Sequence, residues 1–387
     1  MKILFVGISL KPGGIETALR NQVNYAVSIG LDVDLFLFNH LGINDLSIDN
    51  RVRILPPNYL LQCVGCTYRE SRKSKKTFLI RTTCLLFAKL FGSKRVFELI
   101  FKFKGMIGSY DLAISYFHDG SLKDLYYGTN LFVLKRVKAR KKSAWIHSDY
   151  VGCSMYSPER NQMYRLFDCV VNVSQAMKNQ FDALNIIPKE RSFLVYNRID
   201  ERLIDSKSKA YNPQFDDNRV NVVTVGRLEA AKGTVELLEI ANRLRMEGIR
   251  FRWYFVGTGV LEDYCKKFIK YNNLDEFIVL AGQLLNPYPY ISHSDIFVSG
   301  SRMETFGLSI CEALILKRTV IAYQYEALHE IMNETNGFVC KTYEEIYIWL
   351  SRLLSKEPLQ ESKKREGHLI YNYNRENVNQ FKKLLEL

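Results

Sequence analysis

Short apolar runs alternate with helix-like patterns along almost the whole chain, and that alternation leaves few folds open. In the first half, strand-like runs fall at 2–8, 32–38, 112–116, 143–146, 169–173 and 193–196. Between the first two, Ile15, Ala18, Leu19, Val23, Ala26 and Val27 share one helical face, and Gly30 can end that helix. Strands separated by helices pair in parallel, with helices covering both faces of the sheet. The rhythm stops at 205–219, which is polar and turn-rich, with no apolar period. It restarts with strands at 221–225, 252–256, 277–280, 296–298 and 319–322, and with helices from about Thr234, from Leu261 and through 311–316. The expected class is α/β: a Rossmann-like domain at 1–204, a linker region at 205–219 and a second Rossmann-like domain at 220–370. A closing helix at 371–387 is expected to pack back on the first domain. Doubly wound domains hold ligands at the carboxyl ends of their strands, here facing a central cleft.

The chain has 387 residues, 47% hydrophobic and 25% charged, enough for two folded cores and unlike a disordered segment. No apolar run is long enough for a spanning helix, and residues 1–6 read as a buried strand instead of a signal peptide. A cytoplasmic protein is expected. The eight cysteines are scattered and mostly in apolar surroundings, which suits reduced, buried thiols. Cys63 and Cys66 form one close pair, but no second pair follows at zinc-binding spacing, so no metal site is expected.

The net charge of +13 is concentrated in the first half. Residues 69–104 carry eleven Lys and Arg against two carboxylates, Glu70 and Glu98, a local balance of +9. Six more cations follow between Lys135 and Lys142. The first stretch also holds the apolar runs 78–80 and 85–91, so it can lie on an anionic leaflet as a peripheral helix. An ordinary amphipathic helix packed on the sheet is the competing reading.

Four loops, each after an expected strand, suit a nucleotide diphosphate. Gly13 and Gly14, in Lys11-Pro12-Gly13-Gly14-Ile15-Glu16, would let main-chain N–H groups approach a phosphate at a helix N-terminus. Gly226-Arg227-Leu228-Glu229-Ala230-Ala231-Lys232-Gly233 offers an Arg fork and a Lys point charge for a diphosphate. Val256-Gly257-Thr258-Gly259 supplies a tight turn as a pocket wall. Last, Glu304-Thr305-Phe306-Gly307-Leu308 leads to Glu312, about two turns into the next helix; two carboxylates at this spacing could accept from sugar hydroxyls. The N–H groups of Phe306, Gly307 and Leu308 would meet phosphate or sugar oxygens. Taken singly, each loop is equally well a packing turn or a solvated charge pair.

Taken together and in this order, these loops resemble family 4 glycosyltransferases of the GT-B fold over nearly the whole chain. Trp145-Ile146-His147-Ser148-Asp149-Tyr150, Asn172-Val173-Ser174 and Tyr196-Asn197-Arg198-Ile199-Asp200 fall where such enzymes carry similar segments. The resemblance implies that Arg227 and Lys232 bind the donor diphosphate, with Gly13 and Gly14 closing over it. It assigns hydroxyls of the transferred sugar to Glu304 and the ribose to Glu312, and sets Gly257, Thr305, Phe306, Gly307 and Leu308 around the donor. His147 would lie beside the anomeric carbon; a hydrogen-bonded histidine at a strand end is the alternative, and His118 is read as structural. The implied activity moves a hexose or N-acetylhexosamine from a nucleotide sugar, UDP by default, to a glycan or lipid-linked acceptor. Retention of configuration, no metal and no other cofactor are implied, in capsule, O-antigen or exopolysaccharide synthesis. No nucleic-acid partner is expected, because the basic clusters lack the motifs of known binding modules. A sugar-nucleotide epimerase of similar architecture and a non-catalytic basic scaffold or nucleic-acid-binding protein are the rival readings. Lys317-Arg318-Thr319 and Tyr323-Gln324-Tyr325-Glu326 depart from the glycine-rich turns common in the family.

Overall fold

The computed structural model describes residues 1–42, 47–125, 128–153, 155–215, 218–333, 337–355 and 368–386. The chain divides into two compact units: unit 1 is Met1–Arg198 with Arg375–Leu387, and unit 2 is Ile199–Asn374.

Unit 1 is built on seven strands: β1 (Lys2–Gly7), β2 (Asp32–Leu37), β3 (Arg53–Leu55), β4 (Ile107–Ser115), β5 (Val137–Ile146), β6 (Cys169–Asn172) and β7 (Ser192–Leu194). They lie in the order β3-β2-β1-β4-β5-β6-β7, with every neighbouring pair parallel. Five successive residues of β1 are buried, as expected for a strand covered on both faces. An aromatic cluster fills one side, with Phe36 and Phe132 stacked at 4.6 Å and Phe38 and Phe101 edge-on to Phe132.

Unit 2 repeats the plan with β8 (Val220–Val225), β9 (Phe251–Val256), β10 (Ile278–Gly282), β11 (Ile296–Ser299), β12 (Thr319–Tyr323) and β13 (Phe338–Cys340). The order is β10-β9-β8-β11-β12-β13, again all parallel. Each unit is therefore a doubly wound sheet, and its order reverses at β1/β4 in unit 1 and at β8/β11 in unit 2. A crevice for a ligand opens at such a point, outside the carboxyl ends of the strands.

Three expectations need correction. The units divide at Arg198/Ile199, so the expected linker at 205–219 lies inside unit 2, and the first break falls before residue 204. Residues Glu201–Ser208 form a helix capped by Asp200, whose carboxylate accepts from Leu203 N–H at 3.0 Å. Only Ile204 and Ser208 of that helix are buried, so it has no apolar period to betray it. Residues 216–217 of the expected linker and 356–367 of the expected second domain lie outside the described residues, as does residue 387 of the closing helix. The closing helix begins earlier than expected, as His368–Leu385, and its residues from Arg375 onward belong to unit 1. There Asn377 Nδ2 donates to Tyr196 O at 2.5 Å, and the Phe381 ring lies 6.2 Å from Tyr25. The second basic cluster is also reinterpreted. Lys138 to Lys142 are the outer half of β5, where Lys142 Nζ donates to Leu134 O at 2.9 Å and Lys141 lies 3.8 Å from Asp168.

One hydroxyl ties the switch-point strands together. Thr224 Oγ1 in β8 donates to Val298 O of β11 at 2.8 Å and accepts from buried Trp253 Nε1 of β9 at 3.1 Å. Thr224→Val keeps the shape and strands the indole N–H, so it should cost about 1–3 kcal/mol. The check is a lower urea midpoint with unchanged slope; an unchanged midpoint would contradict the bridging role.

Candidate functional site

In unit 2, β8 ends at Val225 and β11 at Ser299, and the loops that leave them bound one pocket of about 340 Å³, open mouth included. Its lining includes Gly226, Arg227, Lys232, Thr234, Ser301 and Glu304. Main-chain bonds fix the loop after β8 to its neighbour: Gly226 N–H donates to Val256 O at 3.0 Å and Leu228 N–H to Thr258 O at 3.1 Å. This packing demands glycine at 257, where φ is +143° and a Cβ would lie 1.9 Å from Gly226 O.

Lys232 closes a short 3₁₀ turn, Ala230–Lys232, and the helix Thr234–Met246 starts two residues later. Its ammonium donates to Glu304 Oε1, and both side chains are mostly buried. Arg227 is 74% exposed, with Nη2 2.9 Å from Glu229 Oε1, so its fork is free to swing toward an incoming anion. The pocket thus holds two cations and a carboxylate, with Lys232 and Glu304 satisfying each other. In so largely buried a pair desolvation offsets much of the mutual attraction, so a ligand offering better partners to both groups can open it.

The adjoining segment carries Thr305, Phe306, Gly307 and Leu308. The Phe306 side chain is buried edge-on against Tyr373 at 5.4 Å, and Tyr325 Oη donates to Phe306 O at 3.4 Å. Gly307 caps the helix Leu308–Ile315 at φ +90°, where a Cβ would meet Tyr325 Oη at 2.1 Å. Glu312 is the fifth residue of that helix, about one turn in, not two, because the helix starts at Leu308. Its buried carboxylate accepts from Tyr288 Oη at 3.2 Å. The structure brings Arg227, Lys232 and Glu304 to one pocket. Gly257, Thr305, Phe306, Gly307, Leu308 and Glu312 stand on neighbouring loops and the helix, outside its lining.

Unit 1 holds the remaining candidates. Gly13 is extended (φ −177°) and precedes the helix Gly14–Ser28, with both glycines exposed at its start. Lys11 is engaged elsewhere, 2.7 Å from Glu70. His147 follows β5 and is buried against the Tyr116 ring at 4.6 Å. Burial, with His118 adding to it, holds its pKa well below the usual histidine range. His118 follows β4, and its Nε2 lies 2.8 Å from Ser148 Oγ. Burial, then Arg160, holds His118 down to about 4. Next to it, Asp119 accepts from Gly128 N–H and Asn130 Nδ2 at 2.9 and 2.8 Å, and burial pushes it up to about 6.

Several residues at the site were not found from sequence. Thr234 exchanges hydrogen bonds with the Glu229 main chain at 3.0 and 3.1 Å, and Tyr343 Oη donates to Gly300 O at 2.8 Å. Thr234 carried a signal, a hydroxyl directly after Lys232-Gly233 at a helix start. Tyr288 and Tyr343 reach the site from segments with no local motif. Among the described residues no group of three or more His, Cys, Asp or Glu is placed to hold a metal ion.

Residues 206–369 match the family described as glycosyl transferases group 1. Among curated proteins, the chain is 25% identical over 167 residues to the Staphylococcus aureus poly(ribitol-phosphate) alpha-N-acetylglucosaminyltransferase, 43% of this chain and 31% of that protein. It is 30% identical over 146 residues to a Campylobacter jejuni N-acetylgalactosamine-N,N'-diacetylbacillosaminyl-diphospho-undecaprenol 4-alpha-N-acetylgalactosaminyltransferase, 37% of each. The matches thus span only about a third of these relatives' length. Among solved structures, a variant of S. aureus TarM in complex with fondaparinux, alpha-GlcNAc-glycerol and UDP has a TM-score of 0.69 at 14% identity, covering 100% of both chains. Anabaena HepE in complex with UDP and glucose gives 0.66 at 16% identity, also over 100% of both chains. These likenesses establish the GT-B fold.

The buried histidines make a titration prediction. The unfolded chain takes up a proton near the ordinary histidine value of about 6.5, whereas folded His118 does so only near 4. Between those values falling pH therefore draws His118 toward the unfolded state and lowers stability. Asp119 acts in the opposite sense, losing stability as pH rises through about 6, so a site-resolved titration is the test. By NMR the His118 imidazole should titrate near pH 4. A midpoint near the ordinary value would contradict the buried geometry.

Proposed function

We propose that this chain, a glycosyl transferase of group 1 over residues 206–369, moves a hexose or N-acetylhexosamine from a UDP-sugar to a glycan or lipid-linked acceptor of cell-surface polymer synthesis. The observation that carries the reading is the Lys232–Glu304 pair beside Arg227 at the strand-order reversal of unit 2. A diphosphate and a sugar are the ligand that gives each of those groups a better partner. Lys232 and Arg227 neutralise the phosphates, while Glu304, released from Lys232, accepts from sugar hydroxyls. Support for the donor class comes from UDP in structures of the same fold, and for the acceptor class from the activities for which the relatives are named.

In the proposed reaction the bond from the anomeric carbon to phosphate breaks, and its electron pair stays on the leaving phosphate oxygen. Lys232, held largely buried at the pocket, and Arg227, swinging in from solvent, stabilise the charge that develops there. The acceptor oxygen then bonds to the anomeric carbon on the face the leaving group vacates, giving retention, and its proton passes to the leaving phosphate. Glu304 orients the sugar, Glu312 binds the ribose, and Tyr288 fixes the Glu312 carboxylate. In this reading His147 acts as a neutral hydrogen-bonding group, in keeping with its lowered pKa. The cations supply the charge that a metal would otherwise bring, so no metal is required.

A thermal-shift series with UDP, GDP, ADP and their hexose conjugates tests the reading, each with and without EDTA. A ligand at a hundred times its Kd stabilises the folded state by about 2.7 kcal/mol. One UDP-sugar should raise the melting temperature equally with and without EDTA. Lys232→Ala should weaken it by roughly tenfold to a hundredfold, for loss of a charge-assisted contact of about 1.5–3 kcal/mol. Glu304→Gln frees Lys232 from its carboxylate, so UDP alone should bind at least as tightly as to the wild type, while the UDP-sugar should lose its advantage over UDP. No shift with any nucleotide sugar would contradict the proposal, as would an undiminished shift in Lys232→Ala.

A further inference from the structure

The helices Lys75–Phe91 and Ser93–Lys102 of unit 1 present a face that runs against the usual pattern of a surface helix. In Lys75–Phe91 the residues turned to solvent include Leu79 (68% exposed), Leu86 (57%) and Leu90 (75%), with Thr83 completing the row. Their spacing of three and four residues places them on one stripe. The opposite side holds Ala88, with Cys84 and Leu85 half-buried, and these pack on the unit 1 core. The helix therefore has two apolar sides, only one of them covered by the fold. Phe87 and Phe91 flank the outer stripe, their ring centroids 4.6 Å apart. In the second helix Leu99 is exposed, and Phe103 is exposed four residues on.

Charge frames this surface. Lys75, Lys76 and Lys89 sit in the first helix, and Lys94, Arg95 and Lys102 in the second. Both acidic residues of 69–104 are already taken by lysines from outside that stretch, Glu70 by Lys11 at 2.7 Å and Glu98 by Lys135 at 2.6 Å. Among the described residues, Lys75, Lys89, Arg95 and Lys102 have no carboxylate within ion-pair distance, while Lys94 reaches Glu159 only at 3.8 Å. A merely solvated basic helix would turn its lysines outward and its leucines inward. Here leucines occupy the outer stripe and unpaired cations its margins.

We propose that this face seats unit 1 on an anionic lipid bilayer, the leucines entering the acyl boundary and the cations meeting the headgroups. A nucleic acid would satisfy the cations and leave the leucine stripe in water. A bilayer with negative headgroups satisfies both, and the charge complementarity selects it. The first helix has 17 residues and includes four cations, and no helix among the described residues is long and apolar enough to cross a membrane. The helices therefore lie along the surface. The inference is independent of the donor reading, because none of these residues lines the pocket of unit 2.

Flotation of the full chain with phosphatidylcholine vesicles, with and without phosphatidylglycerol, tests it at low and high salt. The chain should rise with the phosphatidylglycerol vesicles at low salt, and most of that binding should be lost at high salt. Leu86→Glu with Leu90→Glu should weaken binding by at least about tenfold and leave the melting temperature and the donor-induced shift unchanged. Lys75→Glu with Lys89→Glu should do the same through charge. Wild-type protein remaining at the bottom of the gradient would overturn the proposal, as would equal flotation with both vesicle types. Undiminished flotation of the leucine variant would also overturn it. A gel shift with duplex DNA that persists in the leucine variant, without flotation, would reassign the face to nucleic acid.

Discussion

Strands β8 and β11 lie side by side, but their chains leave toward opposite edges of the sheet, and the candidate site depends on that reversal. A loop that followed its neighbour across the same edge would cover the strand ends and leave no crevice. Divergence instead keeps the Gly226–Lys232 segment and the Gly300–Glu304 segment as two walls facing one pocket. Thr224 reinforces the arrangement by bonding both neighbours of β8 through a single hydroxyl.

Close main-chain packing turns those walls into a site. Gly257 can approach Gly226 O because it has no Cβ to intervene, and the loop after β8 is held to its neighbour by main-chain bonds. Lys232 and Glu304 are then left facing each other across the pocket. The pair lets two largely buried charges satisfy each other, and desolvation offsets much of its attraction, so a ligand with better partners can part it. In unit 1 the same topology buries His118 and His147 at neighbouring strand ends, where low polarity keeps both imidazoles neutral.

Most of this arrangement was legible because parallel strands covered on both faces read as continuous apolar runs. β1, β2, β8, β9 and β12 stand close to where those runs predict. The short strands β3 and β13 were not read from the sequence, and the outer half of β5 escaped because its lysines read as a charge cluster. Arg227 and Lys232 were legible as charges beside Gly226 and Gly233, and Glu304 as the first of two carboxylates eight residues apart. The Tyr288 contact to Glu312 and the Tyr343 contact to Gly300 were not, since each joins segments 24 and 43 residues apart with no shared motif. The division at Arg198/Ile199 was hidden for a related reason: a polar stretch signals a connection only if it is not itself a helix, and Glu201–Ser208 is one. In Lys75–Phe91, sequence left a membrane-facing helix and a core-packed helix both open; the structure packs Ala88, Cys84 and Leu85 on the core and leaves a second, leucine-bearing side exposed.

The most direct test of the central claim is a crystal structure of the chain grown with saturating UDP. The account predicts the diphosphate in the unit 2 pocket, its oxygens within hydrogen-bond reach of Lys232 Nζ and the Arg227 guanidinium, and Glu304 parted from Lys232. Nucleotide bound elsewhere, or bound with the Lys232–Glu304 pair intact, would contradict it.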